Sequence, residues 1–264
     1  MQEVITYKGE PGVMSNRNRK LEGMGEVNGN LDHRMRDIMT LLEYVPSKAG
    51  KVLDIGLGKG QISEWFLGQK GVDAVEGIGL EIESYGIKKD LFEKGLHVTE
   101  CSVEDLPFEN EYFDIVVASH ILEHVSNMGI ALNEIHRVLK RGGHFYIFLP
   151  HYTEQVCAGH INTGWNLGQL MYVLLINGFN VKSGNFIEYG YNLCAFVQKT
   201  KVVLPKLTGD RGDIDVLNEA GLFPVPIHKG TNDLCDTFDG NFRALNWKNA
   251  ELLFRTGMKD KKYH

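Results

Sequence analysis

The stretch KVLDIGLGKG at residues 51–60 decides how this chain folds. Its short apolar run predicts a buried strand, its alternate glycines predict a turn, and the apolar spacing of residues 61–67 predicts a helix. Glycine tolerates positive φ and lets the backbone come close to a ligand. Open α/β sheets bind ligands at such strand-to-helix turns. We therefore expect a ligand site here, with a tight turn that binds nothing as the alternative.

The glycine pattern, D-x-G-x-G-x-G from Asp54, differs from two other ligand-binding loops. A dinucleotide fingerprint that began at Gly56 would need Gly or Ala at position 61, where this chain has Gln61. A P-loop would need Lys and then Ser or Thr after its last glycine, whereas Gln61 and Ile62 follow Gly60. These differences disfavour an NAD-linked enzyme and exclude a P-loop.

Strand and helix patterns alternate along the chain outward from this loop. Strands are predicted at residues 51–55, 74–80, 97–99, 113–118, 144–149 and 193–199, and helices at 61–67, 82–94, 133–139 (with Gly142 at its C-cap) and 166–176. This alternation predicts an α/β fold with a doubly wound, mostly parallel sheet. Residues 1–30 are expected to form an N-terminal arm and residues 31–200 the main domain. Residues 201–264 are expected to form a C-terminal extension packed on it, with a helix near 249–256.

Composition and charge exclude several classes of protein. The 264 residues carry a net charge of −6, which argues against nucleic acid as a partner because such affinity depends on Lys and Arg. Four widely separated cysteines form no C-x-x-C pair, so neither a zinc knuckle nor a dense disulfide framework is expected. No apolar run approaches the ~20 residues that span a bilayer, and the N-terminus shows no signal-peptide pattern. These features predict a cytoplasmic protein with no membrane partner.

Five motifs follow one another along the chain: VLDIGLGKG (52–60), GLE (79–81), CSVEDLPF (101–108), FDIVVASHILEHV (113–125) and RVLKRGG (137–143). In this order they resemble the class I S-adenosylmethionine-dependent methyltransferases, and the resemblance runs from about residue 52 to 199. It implies a Rossmann-like sheet of seven strands and S-adenosyl-L-methionine as the cofactor. The cofactor-binding residues that it implies are Asp54, Gly56, Gly58, Gly60, Glu81, Ser102, Val103, Glu104 and Ser119.

The residue types agree with these implied roles. A carboxylate at Glu81 can accept two hydrogen bonds from a ribose cis-diol, and Asp54 is expected to orient the loop by bonding its amides. The Val103 amide, with Ser102 or Glu104, could read the edge of adenine. Ser102 stands where the family more commonly has Asp. This departure either weakens the contact with the adenine amino group or passes it to Glu104.

The string HILEH at 120–124 matches H-x-x-E-H, an inverted zinc-protease signature. That signature belongs on a helix with a further ligand, whereas here we expect it to straddle the end of a buried strand, so no metal site is predicted. His120 is expected at the C-terminal edge of the sheet beside the transferable methyl group, and His160 in a segment that covers the acceptor. Either could be the catalytic base for a hydroxyl acceptor, with His120 favoured, or both could only shape the pocket.

The sequence therefore predicts an S-adenosylmethionine-dependent methyltransferase whose partner is a small-molecule acceptor. O-methylation of a sugar or related metabolite is the first choice. Protein or RNA methylation is the second, and the acidity of the chain counts against RNA. A non-catalytic protein that keeps the fold without the cofactor is the third, and the intact glycine loop disfavours it.

Overall fold

The computed structural model describes residues 38, 41, 44–150, 159–189, 192–210, 212–227 and 244–246. The strands are β1 Gly50–Ile55, β2 Val72–Gly79, β3 Leu96–Glu100, β4 Phe113–Ser119, β5 Leu139–Pro150, β6 Asn180–Tyr189, β7 Asn192–Gln198 and β8 Ala244–Leu245. The helices are α1 Gln61–Leu67, α2 Lys89–Glu93, α3 Met128–Val138, α4 Leu167–Ile176 and α5 Gly212–Glu219, with 3₁₀ turns at Ile82–Tyr85 and Leu122–His124. The predicted arm at 1–30 and the predicted helix near 249–256 lie outside the described residues.

These strands form one sheet in the order β3-β2-β1-β4-β5-β7-β6-β8. Strands β1 to β5 pair in parallel, and β7 lies antiparallel between β5 and β6. The predicted α/β fold with a mostly parallel, seven-stranded sheet is confirmed, and the short strand β8 is added beside β6. The strand order reverses between β1 and β4, and the C-terminal ends of strands at such a point form the crevice where open sheets bind ligands.

The central strands are buried on both faces, as expected of parallel strands that helices cover. In β4, the side chains of residues 115–118 are at most 1% exposed. Successive residues point to two different apolar clusters: Val116 packs in the cluster that contains α3 and α4, and Val117 packs in the cluster that contains α1. The buried sheet therefore fixes the positions of the strand ends from which the candidate site is built.

Two local predictions that involve glycine were wrong. The predicted helix at 82–94 is divided into a 3₁₀ turn and α2, because Gly86 adopts φ +64 between them. The predicted helix C-cap at Gly142 lies instead inside β5, which begins at Leu139 directly after α3. Gly142 has φ +75, and its amide donates to the Lys199 carbonyl at 2.7 Å, so it accommodates an irregular start of the strand.

The segment after residue 200 adds a helix that the sequence analysis did not predict, α5. Leu217, Phe223 and Ile227 are at most 7% exposed and join the same apolar cluster as α4. The Asp213 carboxylate accepts hydrogen bonds from the amides of Thr208 and Gly209 at 2.7–3.1 Å, which holds the entry to the helix. The division of the chain into an arm, a main domain and an extension stays a prediction. Among the helices that the structure describes, none has the length and apolar character needed to cross a membrane.

Candidate active site

The glycine loop lies at the C-terminal end of β1 and has a backbone conformation that favours glycine. Gly56, Gly58 and Gly60 have φ values of +69, +52 and +81. A side chain at Gly56 would overlap the side chain of Ile121, which follows β4. The loop therefore passes directly against the neighbouring strand end, at the point where the strand order reverses.

The amides of this loop divide into two groups. Those of Gly56 and Leu57 donate to the Ile78 carbonyl at 2.8 and 3.1 Å, which ties the loop to β2. Those of Gly58 and Lys59 donate to no residue in the part of the chain that the structure describes. Two adjacent donors on the loop are therefore available to a ligand.

Asp54 lies beneath the loop and is wholly buried. Its Oδ2 accepts a hydrogen bond from the Ser63 hydroxyl at 2.6 Å, which links the end of β1 to α1. A carboxylate held in this way is suited to position the loop rather than to react. The role of Asp54 as an orienting group stays a prediction, and the structure adds Ser63 as its partner.

Glu81 follows β2, the strand beside β1. It has φ +53, unusual for a residue with a side chain, and its carbonyl accepts from the amide and the hydroxyl of Ser84 at 2.9 and 2.8 Å. Glu100, at the end of β3, accepts from the Ile82 amide at 3.2 Å and helps to hold this turn. The Glu81 carboxylate is exposed and bonds to no described residue, so both of its oxygens are available to a diol.

The loop after β3 carries the residues predicted to contact adenine. The Val103 amide donates to no described residue, whereas the Glu104 amide donates to Ser102 Oγ at 3.1 Å. Both Glu104 carboxylate oxygens accept from Asn127, at 3.0 and 2.8 Å, and these bonds hold the pKa of Glu104 below its ordinary value. Both Glu104 carboxylate oxygens are therefore engaged with the start of α3, which leaves the Val103 amide as the better placed donor to the edge of a base.

Arg137, on α3, holds the same loop. Its Nη1 donates to the Phe108 carbonyl at 2.6 Å and its Nη2 to the Leu106 carbonyl at 2.8 Å. Glu134, one turn earlier on α3, accepts from the Leu106 amide at 2.9 Å. The sequence analysis used RVLKRGG only as a family motif and missed this positioning role, because these contacts join residues about 30 positions apart.

His120 is the first residue after β4 and sits beside β5. It has φ +53, and its amide donates to the Phe148 carbonyl at 3.0 Å, so the sheet itself fixes its backbone. Ser119, the last residue of β4, is wholly buried. His120 Nδ1 lies 3.5 Å from Glu123 Oε1, and the Glu123 side chain is 0% exposed. A non-glycine residue with positive φ at a strand end often marks a functional site.

The segment after β5 returns to the turn that follows β4. The amides of Ile161 and Asn162 both donate to the Glu123 carbonyl, at 2.9 and 3.0 Å. The Asn162 side-chain amide donates to the carbonyls of Leu122 and Val125 at 3.0 and 2.6 Å. Four hydrogen bonds therefore hold Ile161 and Asn162 against the 3₁₀ turn and the residue after it. The sequence analysis had not singled out Asn162.

These bonds place His160 beside the H-x-x-E-H segment. Its ring makes an edge contact with the ring of His124, with centroids 4.7 Å apart, and its side chain is largely buried. Burial lowers the pKa of His160, Glu123 opposes this shift, and the neighbouring His124 and His120 add to it. His160 is thus favoured as a neutral imidazole at neutral pH.

The structure gathers the predicted site residues along one edge of the sheet, because the parallel strands β1 to β4 all end there. A cavity of about 870 Å³ lies at the opposite edge, near the start of β5, and its lining includes His136, Arg141 and Lys199. That cavity is far from the C-terminal strand ends, where open α/β sheets bind ligands. We therefore assign the candidate site to the edge that carries the glycine loop.

The strand order, the glycine loop after β1 and the acidic residue after β2 agree with the predicted resemblance to class I S-adenosylmethionine-dependent methyltransferases. Residues 53–147 match the family described as a methyltransferase domain. This match covers 95 of the 264 residues, and it agrees with the predicted resemblance to the class I S-adenosylmethionine-dependent methyltransferases.

Three proteins of known name illustrate the similarity. The chain is 34% identical over 104 residues to the ubiquinone/menaquinone biosynthesis C-methyltransferase UbiE of Vibrio vulnificus. This match covers 37% of this chain and 40% of that protein. It is 34% identical over 116 residues to the mitochondrial ubiquinone biosynthesis O-methyltransferase of Rattus norvegicus. This match covers 41% of this chain and 33% of that protein. The chain thus spans less than half the length of these curated relatives.

Among solved structures, the fold is similar to phosphoethanolamine N-methyltransferase 2 of Haemonchus contortus, determined in complex with S-adenosyl-L-methionine. The TM-score is 0.50 at 21% identity, and the match covers 59% of this chain and 38% of that one. At this identity the similarity concerns the fold alone.

Proposed function

We propose that this chain catalyses S-adenosylmethionine-dependent methylation of a small-molecule acceptor. The observation that carries the proposal is the glycine loop, with three left-handed glycines and two amides that donate to no described residue. When bound, S-adenosylmethionine supplies a methyl group carried on a positively charged sulfur. The donor set of the crevice fits this molecule, because it combines backbone amides that donate to no described residue with an exposed carboxylate suited to a cis-diol.

Three strand ends would hold the cofactor in this proposal. The loop of Gly56, Gly58 and Gly60 would hold its methionine part through backbone amides, and Glu81 would accept hydrogen bonds from both ribose hydroxyls. The adenine edge would lie against the Val103 amide. Four neighbouring residues would support these contacts: Asp54, Ser102, Glu104 and Ser119.

A hydroxyl acceptor must lose its proton when it is methylated, and a histidine at the strand end is suited to accept it. His120 is our first candidate for this base, because the sheet fixes its backbone and Glu123 lies beside its ring. His160 is the second candidate, held over the same turn by its neighbour Asn162. The remaining contribution of the chain would be to bring the two reactants together and to exclude water.

The acceptor atom differs among the relatives, whose names give carbon, oxygen and nitrogen methylation. We choose a hydroxyl because His120 lies at the end of β4 and His160 lies beside the turn that follows it. An amine or thiol acceptor would need no such base. A sugar or related hydroxyl compound remains our first choice of substrate. The net charge of −6 disfavours RNA as the acceptor.

Calorimetry with S-adenosylhomocysteine tests the cofactor, and we expect a micromolar dissociation constant, about −8 kcal/mol. NAD serves as the control ligand, and binding of NAD without binding of S-adenosylhomocysteine would overturn the proposal. Separate incubations of the protein and methyl-labelled cofactor with the metabolite, protein and RNA fractions of a cell extract then test the acceptor. Label in a hydroxyl compound supports our choice, whereas label in protein or RNA fractions would contradict it.

A further inference from the structure

The turn after β4 and the segment after β5 bring three metal-ligating side chains together. Glu123, His124 and His160 each offer one ligand atom, and these atoms lie within 4.8 Å of one another. We propose that these three residues bind a divalent transition-metal ion of the zinc class. Binding of the ion can be measured without the cofactor and without methyl transfer.

Glu123 is the strongest reason to expect an ion. Its side chain is 0% exposed, and neither carboxylate oxygen accepts a hydrogen bond from any residue that the structure describes. The ring of His120 also lies near it, with Nδ1 3.5 Å from Glu123 Oε1. A buried carboxylate without donors is costly, and such groups are normally paired or coordinate a metal. A bound cation would satisfy this carboxylate.

His124 has the orientation of a metal ligand. Its Nδ1 lies 3.2 Å from the Gly159 carbonyl, which can only accept a hydrogen bond. This bond selects the tautomer with the proton on Nδ1, so the lone pair lies on Nε2. Histidine ligands commonly donate their other ring N–H to a backbone carbonyl in this way. His124 is also exposed, which gives an ion a path from solvent to two buried partners.

His160 supplies the third ligand from a distant part of the chain. The hydrogen bonds of Ile161 and Asn162 to the turn hold it beside Glu123 and His124 before any ion binds. The ion would therefore join the segment after β5 to the end of β4.

The donor set indicates which ion the site would take. Two imidazoles and one carboxylate suit zinc, whereas magnesium and calcium prefer oxygen ligands alone. Zinc holds N and O ligands at about 2.0–2.2 Å, so its ligand atoms lie roughly 3.5 Å apart and small side-chain rotations would close the site. Three protein ligands leave one position for a solvent or acceptor oxygen.

The sequence analysis predicted no metal here, because the H-x-x-E-H string was expected to straddle a strand end without a further ligand. The structure places Leu122–His124 in a 3₁₀ turn and adds His160 from 36 residues beyond His124. A metal-bound His160 could not also accept a proton, so occupation of the site would leave His120 as the remaining candidate base.

The test uses the untagged full chain, stripped with a chelator and titrated with Zn²⁺ alone against a chromophoric chelator. We expect one ion per chain, a rise in the melting temperature on adding Zn²⁺, and visible absorption bands of a low-symmetry site with Co²⁺. His124→Ala should weaken Zn²⁺ binding by more than the roughly 10–100-fold that the loss of an outer-shell partner costs. Glu123→Gln, of nearly equal size, should do the same.

His97→Ala is the matched control, because His97 is an exposed histidine on β3, away from this turn. It should bind Zn²⁺ as the unmodified protein does. Because His124 is exposed, its variant is expected to fold, and its melting temperature without metal checks this. Absence of stoichiometric binding, or equal affinity in His124→Ala and the unmodified protein, would overturn the proposal. S-adenosylhomocysteine binding, measured on the same samples without metal, reports separately on the proposed function.

Discussion

Replacing Gly56 with alanine tests the contact between the glycine loop and the residue after β4. Gly56 has φ +69, and an added Cβ would overlap the side chain of Ile121. Gly86 provides a matched control, because it has nearly the same φ, +64, and an added Cβ there would meet nothing within 4 Å. The two variants therefore share backbone strain and differ in the overlap.

The expected magnitudes follow from these two terms. A side chain in the left-handed region lowers the free energy of unfolding by about 1–2 kcal/mol. Replacing glycine also reduces the entropy of the unfolded chain, which raises the free energy of unfolding by about 0.4–1 kcal/mol. Gly86→Ala should therefore lower the free energy of unfolding by about 1 kcal/mol. Overpacking against Ile121 adds about 1–3 kcal/mol, so Gly56→Ala should lower it by about 2–4 kcal/mol.

Urea unfolding, followed by circular dichroism and extrapolated to water, measures both variants. The double variant Gly56→Ala with Ile121→Ala removes the overlapping atoms, so a double-mutant cycle should give a coupling of about 1–3 kcal/mol. If Gly56→Ala costs no more than Gly86→Ala, the loop is not held by its approach to Ile121. That result would refute the reasoning from the close contact.

Three other variants test the site and the fold. Glu81→Ala should weaken S-adenosylhomocysteine binding by about 2–4 kcal/mol in calorimetry, because two charge-assisted hydrogen bonds are lost. Glu83→Ala is the control, because Glu83 is an exposed neighbour, and equal losses of affinity in the two variants would contradict the ribose role of Glu81. Burial lowers the pKa of His144 from 6.5 to about 4, so the unfolded chain takes up its proton first as the pH falls. The contribution of His144 to the free energy of unfolding should therefore decrease from about pH 6.5 to about pH 4 and stay constant below that. His144→Gln should remove about 3 kcal/mol of the pH-dependent decrease in urea titrations, and parallel pH curves would exclude His144 as its cause. His120→Ala should reduce turnover of a hydroxyl acceptor about 10²–10⁴-fold with little change in cofactor affinity. If His120→Ala and His160→Ala both keep turnover within a few-fold of the unmodified protein, the acceptor needs no base.

The local features of the site could be predicted from the sequence because they depend on neighbouring residues. The apolar run of residues 52–55 and the alternate glycines at 56, 58 and 60 identify a buried strand and a left-handed turn. The continuous apolar run of β4 identifies a strand covered on both faces. These patterns reflect the periods of side chains along strands and helices, which act over a few residues.

Other elements could not be predicted because their patterns are irregular. Strand β6 was missed, since its pairing with β7 shifts between Asn180 and Asn185, which interrupts the alternation of apolar residues. The insertion of β7 between β5 and β6 has no local signal either. The position of β7 depends on which strand order satisfies the backbone hydrogen bonds of the whole sheet and buries its apolar faces.

The sequence by itself determined the class of the domain and the segments that carry its chemistry, because glycine conformation and apolar periodicity are local properties. Only the tertiary structure decided that Ile121 confines the glycine loop and that Arg137 holds the loop after β3. It also decided that His160 meets Glu123, through hydrogen bonds from a segment nearly 40 residues away. The free energy of such contacts comes from packing and from satisfying buried polar groups, and these depend on which distant residues the fold brings together.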